Sequence, residues 1–235
     1  MRGERGVALI VALMAMTLMV ALGTALILTT TTESKITRNF AITSEAAYAA
    51  EAVLERAVDD MLMVNDWTSL LNGTAASGFV DGTPTGTRAL ADGAMLDLGG
   101  AINIANCQKT SACGDDEMNR VTDERPWGLN NPRWKPFAWG PLSRLTPGST
   151  TSPFYVVLLV GDDPSECDNN PLVDGGDPVP PCGAGSSFNP GAGVLSLRAE
   201  AFGPFGTHKI IEATIARNAN HPNRSVRMLS WREVR

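Results

Sequence analysis

Histidine is nearly missing from this 235-residue chain: it has two, His208 and His221, and tyrosine is as scarce. A histidine-based catalytic triad has little to be built from, and both imidazoles lie far in sequence from any pair of cysteines that could share a zinc ion. No GxxxxGK[ST] phosphate loop, GxGxxG turn, HExxH pair or GxSxG elbow occurs, so nucleotide-binding and the common hydrolase readings have no footing. Acidic pairs such as Asp59-Asp60 fall on the outer side of a helical pattern, where a structural role outweighs acid–base chemistry. Basic residues are outnumbered, with 19 Lys and Arg against 25 Asp and Glu for a net charge of −6, which argues against a nucleic-acid partner. Hydrophobic residues at 43% and charged residues at 19% exclude wholesale disorder. Aromatics are only 6%, while 23 Gly and 15 Pro point to a loop-rich body rather than a helical bundle.

The most consequential absence is local: residues 7–32 carry no charge. Within Val7–Leu28, 22 residues long, only Thr17, Gly23 and Thr24 interrupt the aliphatics. A helix of that length spans roughly 33 Å, matching a hydrocarbon core of about 30 Å. It has no polar stripe, unlike a helix packed in a soluble core. Arg2 and Arg5 precede it, so the positive-inside rule puts the N-terminus in the cytoplasm and the body outside. A cleaved secretory signal is the alternative, with Ala21-Leu22-Gly23 as its cleavage site. Against it, the apolar run continues through Ala25–Leu28.

Helical periodicity follows. Ile36, Phe40, Ala47, Ala50, Leu54, Val58 and Met61 recur at spacings of three, four and seven, predicting an amphipathic helix from about Glu33 to Val64. No Pro or Gly lies between Gly23 and Gly73, so one helix of nearly 60 residues is expected. The β-branched run Thr29–Thr32 is a place for a bend.

A short basic leader ending in Gly6, then an apolar helix running into an amphipathic one, resembles the type IV pilin-like family. Arg5-Gly6-Val7-Ala8-Leu9-Ile10-Val11-Ala12-Leu13 and Ala46-Ala47-Tyr48-Ala49-Ala50-Glu51-Ala52 are similar to the PilX-type minor pilins. The resemblance implies an α+β, pilin-like fold: a long N-terminal helix, half membrane-embedded and half amphipathic, packed on an antiparallel β-sheet head with long loops. It implies a leader at 1–6, a transmembrane and filament-core helix at 7–28, its amphipathic continuation at 29–65, and a periplasmic head at 66–235. It further implies cleavage between Gly6 and Val7 by a prepilin peptidase, methylation of the Val7 amine, and other minor and major pilins and the inner membrane as partners. Most members carry Glu at the fifth mature position, where it is thought to pair with a neighbour's N-terminal amine. Here that position is Val11. The departure suits a minor, tip or priming subunit. It is also a habit of the K-type minor pseudopilin of type II secretion, which is usually longer. A tip-displayed adhesin is compatible with the same reading. A membrane-anchored periplasmic enzyme is the remote rival, for want of a catalytic constellation.

In the body, Ala91-Asp92-Gly93 between two short apolar segments predicts a hairpin. Phe154–Val160 predicts a central strand covered on both faces. Val194–Phe202 and Lys209–Ala216 alternate as a hairpin with one buried face, and Val226–Trp231 fits a final strand. Residues 126–153, dense in Pro and Trp, read as an irregular loop whose aromatics pack onto its own domain, or else as a partner surface.

Four cysteines suit an oxidising compartment. Their separations suggest Cys107–Cys113 and Cys167–Cys182, although four cysteines allow three connectivities. Residues 161–182 hold six acids and no base, equal to the whole net charge. Asp162, Asp163, Glu166, Asp168, Asn170 and Asp174 are candidate oxygen ligands for a structural Ca2+; no other cofactor is expected. The spacing is not that of an EF-hand, and a solvated surface loop held by a disulfide is the competing reading.

Overall fold

The computed structural model describes residues 4–145, 151–180, 191–218 and 225–234. The chain divides into two units, Met1–Ser44 and Glu45–Arg235. The long helix α1 (Glu4–Leu62) supplies all the described structure of the first unit and enters the second. The helix runs on through the threonines without a break. Thr29, Thr30, Thr31 and Thr32 donate their hydroxyls to the carbonyls of Ala25, Leu26, Ile27 and Leu28 at 2.7–3.0 Å. A hydroxyl bonded to the preceding turn is satisfied without breaking the helical ladder, so weak helix formers are accommodated.

In the second unit, α1 buries Ala46, Ala49, Ala50, Val53, Leu54, Ala57 and Met61. The inner face is thus turned slightly from the sequence stripe: Ala47 and Val58 are half-buried, and Ile36 and Phe40 fall in the first unit, where they are exposed. Four of the seven inner residues are alanines, whose small side chains permit a close approach of the helix to what it covers.

The body is a five-stranded antiparallel sheet in the order β3 (Lys135–Pro141), β4 (Tyr155–Asp162), β5 (Val194–Phe202), β6 (His208–Asn218), β7 (Ser225–Val234). Register pairs Val156, Leu158 and Val160 with Ala201, Ala199 and Leu197 on one face. Leu197 and Ala199 pair onward with Ala213 and Ile211. All of these are buried beneath α1. The opposite face of β4 carries Tyr155, Val157 and Leu159. They pack with Trp134 just before β3, Trp139 of β3, Leu96 of the small hairpin of β1 (Thr87–Ala89) and β2 (Met95–Asp97), and Leu98 and Ala105 of helix α3 (Leu98–Cys107). Every residue of β4 is therefore buried, the packing that a continuous apolar run requires.

Two short helices, α2 (Thr68–Leu71) and α4 (Asp115–Met118), complete the described elements apart from single 3-10 turns. The structure corrects the reading of 126–153 as irregular loop, because β3 lies inside it. Pro136 and Pro141 are tolerated since β3 is an edge strand, and a register shift falls between Pro136 and Ala138. Trp134, Phe137 and Trp139 are buried in their own body, while Trp127 is partly exposed. Around them, buried Arg125 donates to the carbonyls of Ala105 and Pro132 at 2.9 and 2.8 Å. Asp60, on the outer side of α1 in the sequence reading, accepts hydrogen bonds from the Ser77 hydroxyl and the Gly78 N–H and so ties down the chain that follows α2.

At Gly203, which closes the turn to Thr207 with a 2.8 Å backbone bond, an added Cβ would lie 2.2 Å from Cε1 of buried Phe154. Gly203→Ala is expected to destabilise the protein by about 1–3 kcal/mol, read as a lower denaturation midpoint of the full chain in detergent.

Candidate functional site

The first candidate is the surface of α1 itself. Gly6 lies inside the helix, exposed, with open space where a Cβ would be. Val7 is 62% and Val11 59% exposed, and the apolar side chains onward to Leu28 are exposed as well. The most apolar window has a mean hydropathy of 2.4 and no buried residue, long and apolar enough to cross a membrane. Its polar groups are satisfied internally: Thr17 donates to the Met14 carbonyl and Thr24 to the Val20 carbonyl, both at 2.9 Å. A helix with its backbone and hydroxyls bonded within itself offers lipid or a neighbouring apolar helix nothing that must be hydrated.

The second candidate sits where β4 ends. Asp162 pairs with Leu195 in the sheet, on the face beneath α1, so the strand carries its carboxylate inward. The chain then turns, with the Glu166 N–H on the Asp163 carbonyl at 2.9 Å and the Val179 N–H on the Cys167 carbonyl at 2.7 Å. This return brings Glu166 and Asp168 to Asp162, with one carboxylate oxygen of each within 4.8 Å of the others. All three are buried, at 2%, 1% and 9% exposure, contrary to a solvated surface loop. Glu166 accepts from the Gly175 N–H at 3.0 Å through Oε2, and Asp168 accepts from the Asn170 N–H at 2.9 Å through Oδ1. Their other oxygens, Glu166 Oε1 and Asp168 Oδ2, have no hydrogen-bond partner among the described residues, and neither has Asp162 Oδ1.

The other acidic candidates are engaged elsewhere. Asp163 accepts from the Ser165 hydroxyl at 2.6 Å and its N–H at 3.2 Å. Asp174 accepts from the Gly193 N–H at 2.6 Å. Asn170 is exposed and contributes its backbone N–H to Asp168. Sequence reasoning missed Gly176, where a Cβ would lie 2.0 Å from Asp168 Oδ2. The adjacent glycines 175 and 176 in an acidic segment were the available signal.

Burial, reinforced by the charges of Glu166, Asp168 and Asp174, pushes the Asp162 carboxyl up to about 9, against a backbone hydrogen bond from Asp163. Burial likewise raises Glu166 to about 7, with the Gly175 N–H opposing it and Asp168, Asp174 and Asp163 adding to it. Asp174 is raised by burial, partly offset by the Gly193 N–H and the Arg217 charge.

Cys107 and Cys113 form a disulfide that closes the end of α3. Cys167, between the two loop carboxylates, is also disulfide-bonded. Cys182 and His221 lie outside the described residues. His208, far from the acidic cluster in the register, meets Glu200 at 2.8 Å and stacks on Phe202.

Residues 5–55 match the family model described as PilX N-terminal. That segment is a PilX-type pilin N-terminal domain. No curated protein and no solved structure matches the chain.

Asp162 and Glu166 bind protons more tightly in the folded than in the unfolded chain, whose carboxyls titrate near about 4. The contribution of these two groups to folding stability in the presence of a chelator is therefore greatest at the acidic end and is lost as pH rises toward roughly 7 for Glu166 and 9 for Asp162. Thermal unfolding in EGTA should give a higher midpoint near pH ~5.5 than near ~8.5, and Asp162→Asn should flatten that slope.

Proposed function

We propose that this chain, with its PilX-type domain at residues 5–55, is a minor subunit that primes or caps a type IV pilus. The observation that carries the reading is the coincidence of that domain with an apolar helix surface that is exposed from Val7 to Leu28. In the proposed cycle, the helix first resides in the inner membrane, with Arg2 and Arg5 on the cytoplasmic side and the body in the periplasm. A prepilin peptidase cuts between Gly6 and Val7. The freed helix then exchanges lipid for the flanks of other pilin helices, an exchange of one apolar environment for another.

Val11 supports a terminal or initiating place. A carboxylate at that position could pair with a neighbour's amine inside an apolar core, where an unpaired charge is costly. Valine offers no such pairing and incurs no such cost. The subunit therefore enters an assembly through apolar packing and has no need of a partner amine next to it. This fits a complex of minor subunits better than a repetitive filament.

Deletion of the gene in its parent cell is expected to lower the number of surface pili. Sheared filaments from the wild type should contain the chain at a small fraction of the main subunit. Restoration by the wild-type gene but not by a Gly6 variant that blocks cleavage supports the reading. Normal piliation on deletion, with the chain missing from filaments, contradicts it.

A further inference from the structure

The cluster at the end of β4 contains more negative charge than its surroundings balance. Three carboxylates are buried together, one oxygen of each lies within 4.8 Å of the others, and each has one oxygen without a hydrogen-bond partner among the described residues. A buried ionised carboxylate without a partner is among the most expensive groups a fold can hold. The charged groups that act on Asp162 are Glu166, Asp168 and Asp174, and those on Glu166 are Asp168, Asp174 and Asp163. All are acidic, and residues 161–182 supply no base. The Arg217 guanidinium is directed elsewhere: it donates to the Val64 and Asn65 carbonyls, lies over the Trp67 ring and acts on Asp174.

The arrangement has the form of a coordination shell. Oxygens that each lie about 2.4 Å from one Ca2+ ion are separated by at most about 4.8 Å, the spacing found among these three. Glu166 Oε2 and Asp168 Oδ1 are held by backbone N–H groups, the outer support that fixes a ligand's orientation. Gly176 is required for that support, because any side chain there would collide with Asp168 Oδ2. We propose that Asp162, Glu166 and Asp168 form a structural divalent-cation site filled by calcium, which fastens the segment after β4 to the end of the sheet.

The donor set selects the ion. It is entirely oxygen and anionic, with no imidazole or thiolate, so soft and borderline metals have no advantage. Ligands this deeply buried strip most water from the ion, which Ca2+ allows and Mg2+ resists. The role is structural, since no substrate-sized opening is needed for an ion held this way. The proposal does not depend on pilus assembly; a cation could fasten this loop in a body serving any function.

The test uses the full chain in detergent, stripped with EGTA and titrated with CaCl2 near neutral pH. Calorimetry is expected to find about one Ca2+ per chain, and thermal unfolding a midpoint higher by about 5–10 °C at roughly 100-fold excess over Kd. Asp162→Asn, which keeps the shape and removes one anionic ligand, should abolish the calcium-dependent shift. In EGTA near neutral pH this variant should be about as stable as the wild type, because burial keeps the Asp162 carboxyl protonated there; in calcium it should be the less stable. Ser165→Ala, which removes a contact of Asp163 outside the cluster, should retain the shift. No heat and no shift at millimolar calcium overturns the proposal. So does an Asp162→Asn variant destabilised equally with and without calcium, or an equal shift from MgCl2 at the same concentration.

Discussion

Water reaches most of the apolar side chains of α1 between Val7 and Leu28 when the chain stands alone. Leaving such a surface in water costs about 25 cal/mol for each Å2 of apolar area, a penalty that grows quickly over 22 residues. No stripe of charge offers one side of the helix to solvent. Some apolar partner must therefore cover it all round, which in the proposed cycle is first a bilayer and then other helices of the same character. The internally bonded threonines allow that exchange, because the helix has no polar group that must find a new partner.

Beyond Ser44 the same helix obeys a different rule. Its inner face becomes narrow and rich in alanine, and the sheet beneath it supplies the apolar partner. β4 is the centre of that body, covered by α1 on one face and by α3, the small hairpin and two tryptophans on the other. Burial on both faces explains Val156–Val160. It also explains why Asp162, the last residue of the strand, is held in surroundings that disfavour its charge. The acidic cluster is a consequence of where the sheet ends.

Much of this is legible in the sequence alone. Uninterrupted apolarity marked the spanning helix, spacing of three and four its continuation, and alternation the hairpin of β5 and β6, because each pattern follows directly from a backbone period. β3 was hidden by Pro136, Pro141 and their aromatic neighbours, which read locally as loop; its place on the sheet edge is a tertiary fact. α3 was hidden by Gly99 and Gly100. Its stability comes from packing Leu98 and Ala105 and from the bonds of Asn106 to the Trp134 backbone at 3.0 and 2.8 Å, none of which is local in sequence. The acidic segment named six oxygen-bearing residues, but only the return of the chain at Cys167 decides that Asp162, Glu166 and Asp168 meet while Asp163 and Asp174 bond elsewhere.

The central claim is that α1 begins life as a pilin helix, and its N-terminus carries the most direct record. Intact-mass and N-terminal peptide spectrometry of the protein recovered from its own cell, where the processing enzymes are present, would read that record. The account predicts a chain that begins at Val7 with an N-methylated amine. A chain that retains Met1, or one that begins at Thr24 after a cut at Gly23, would contradict it.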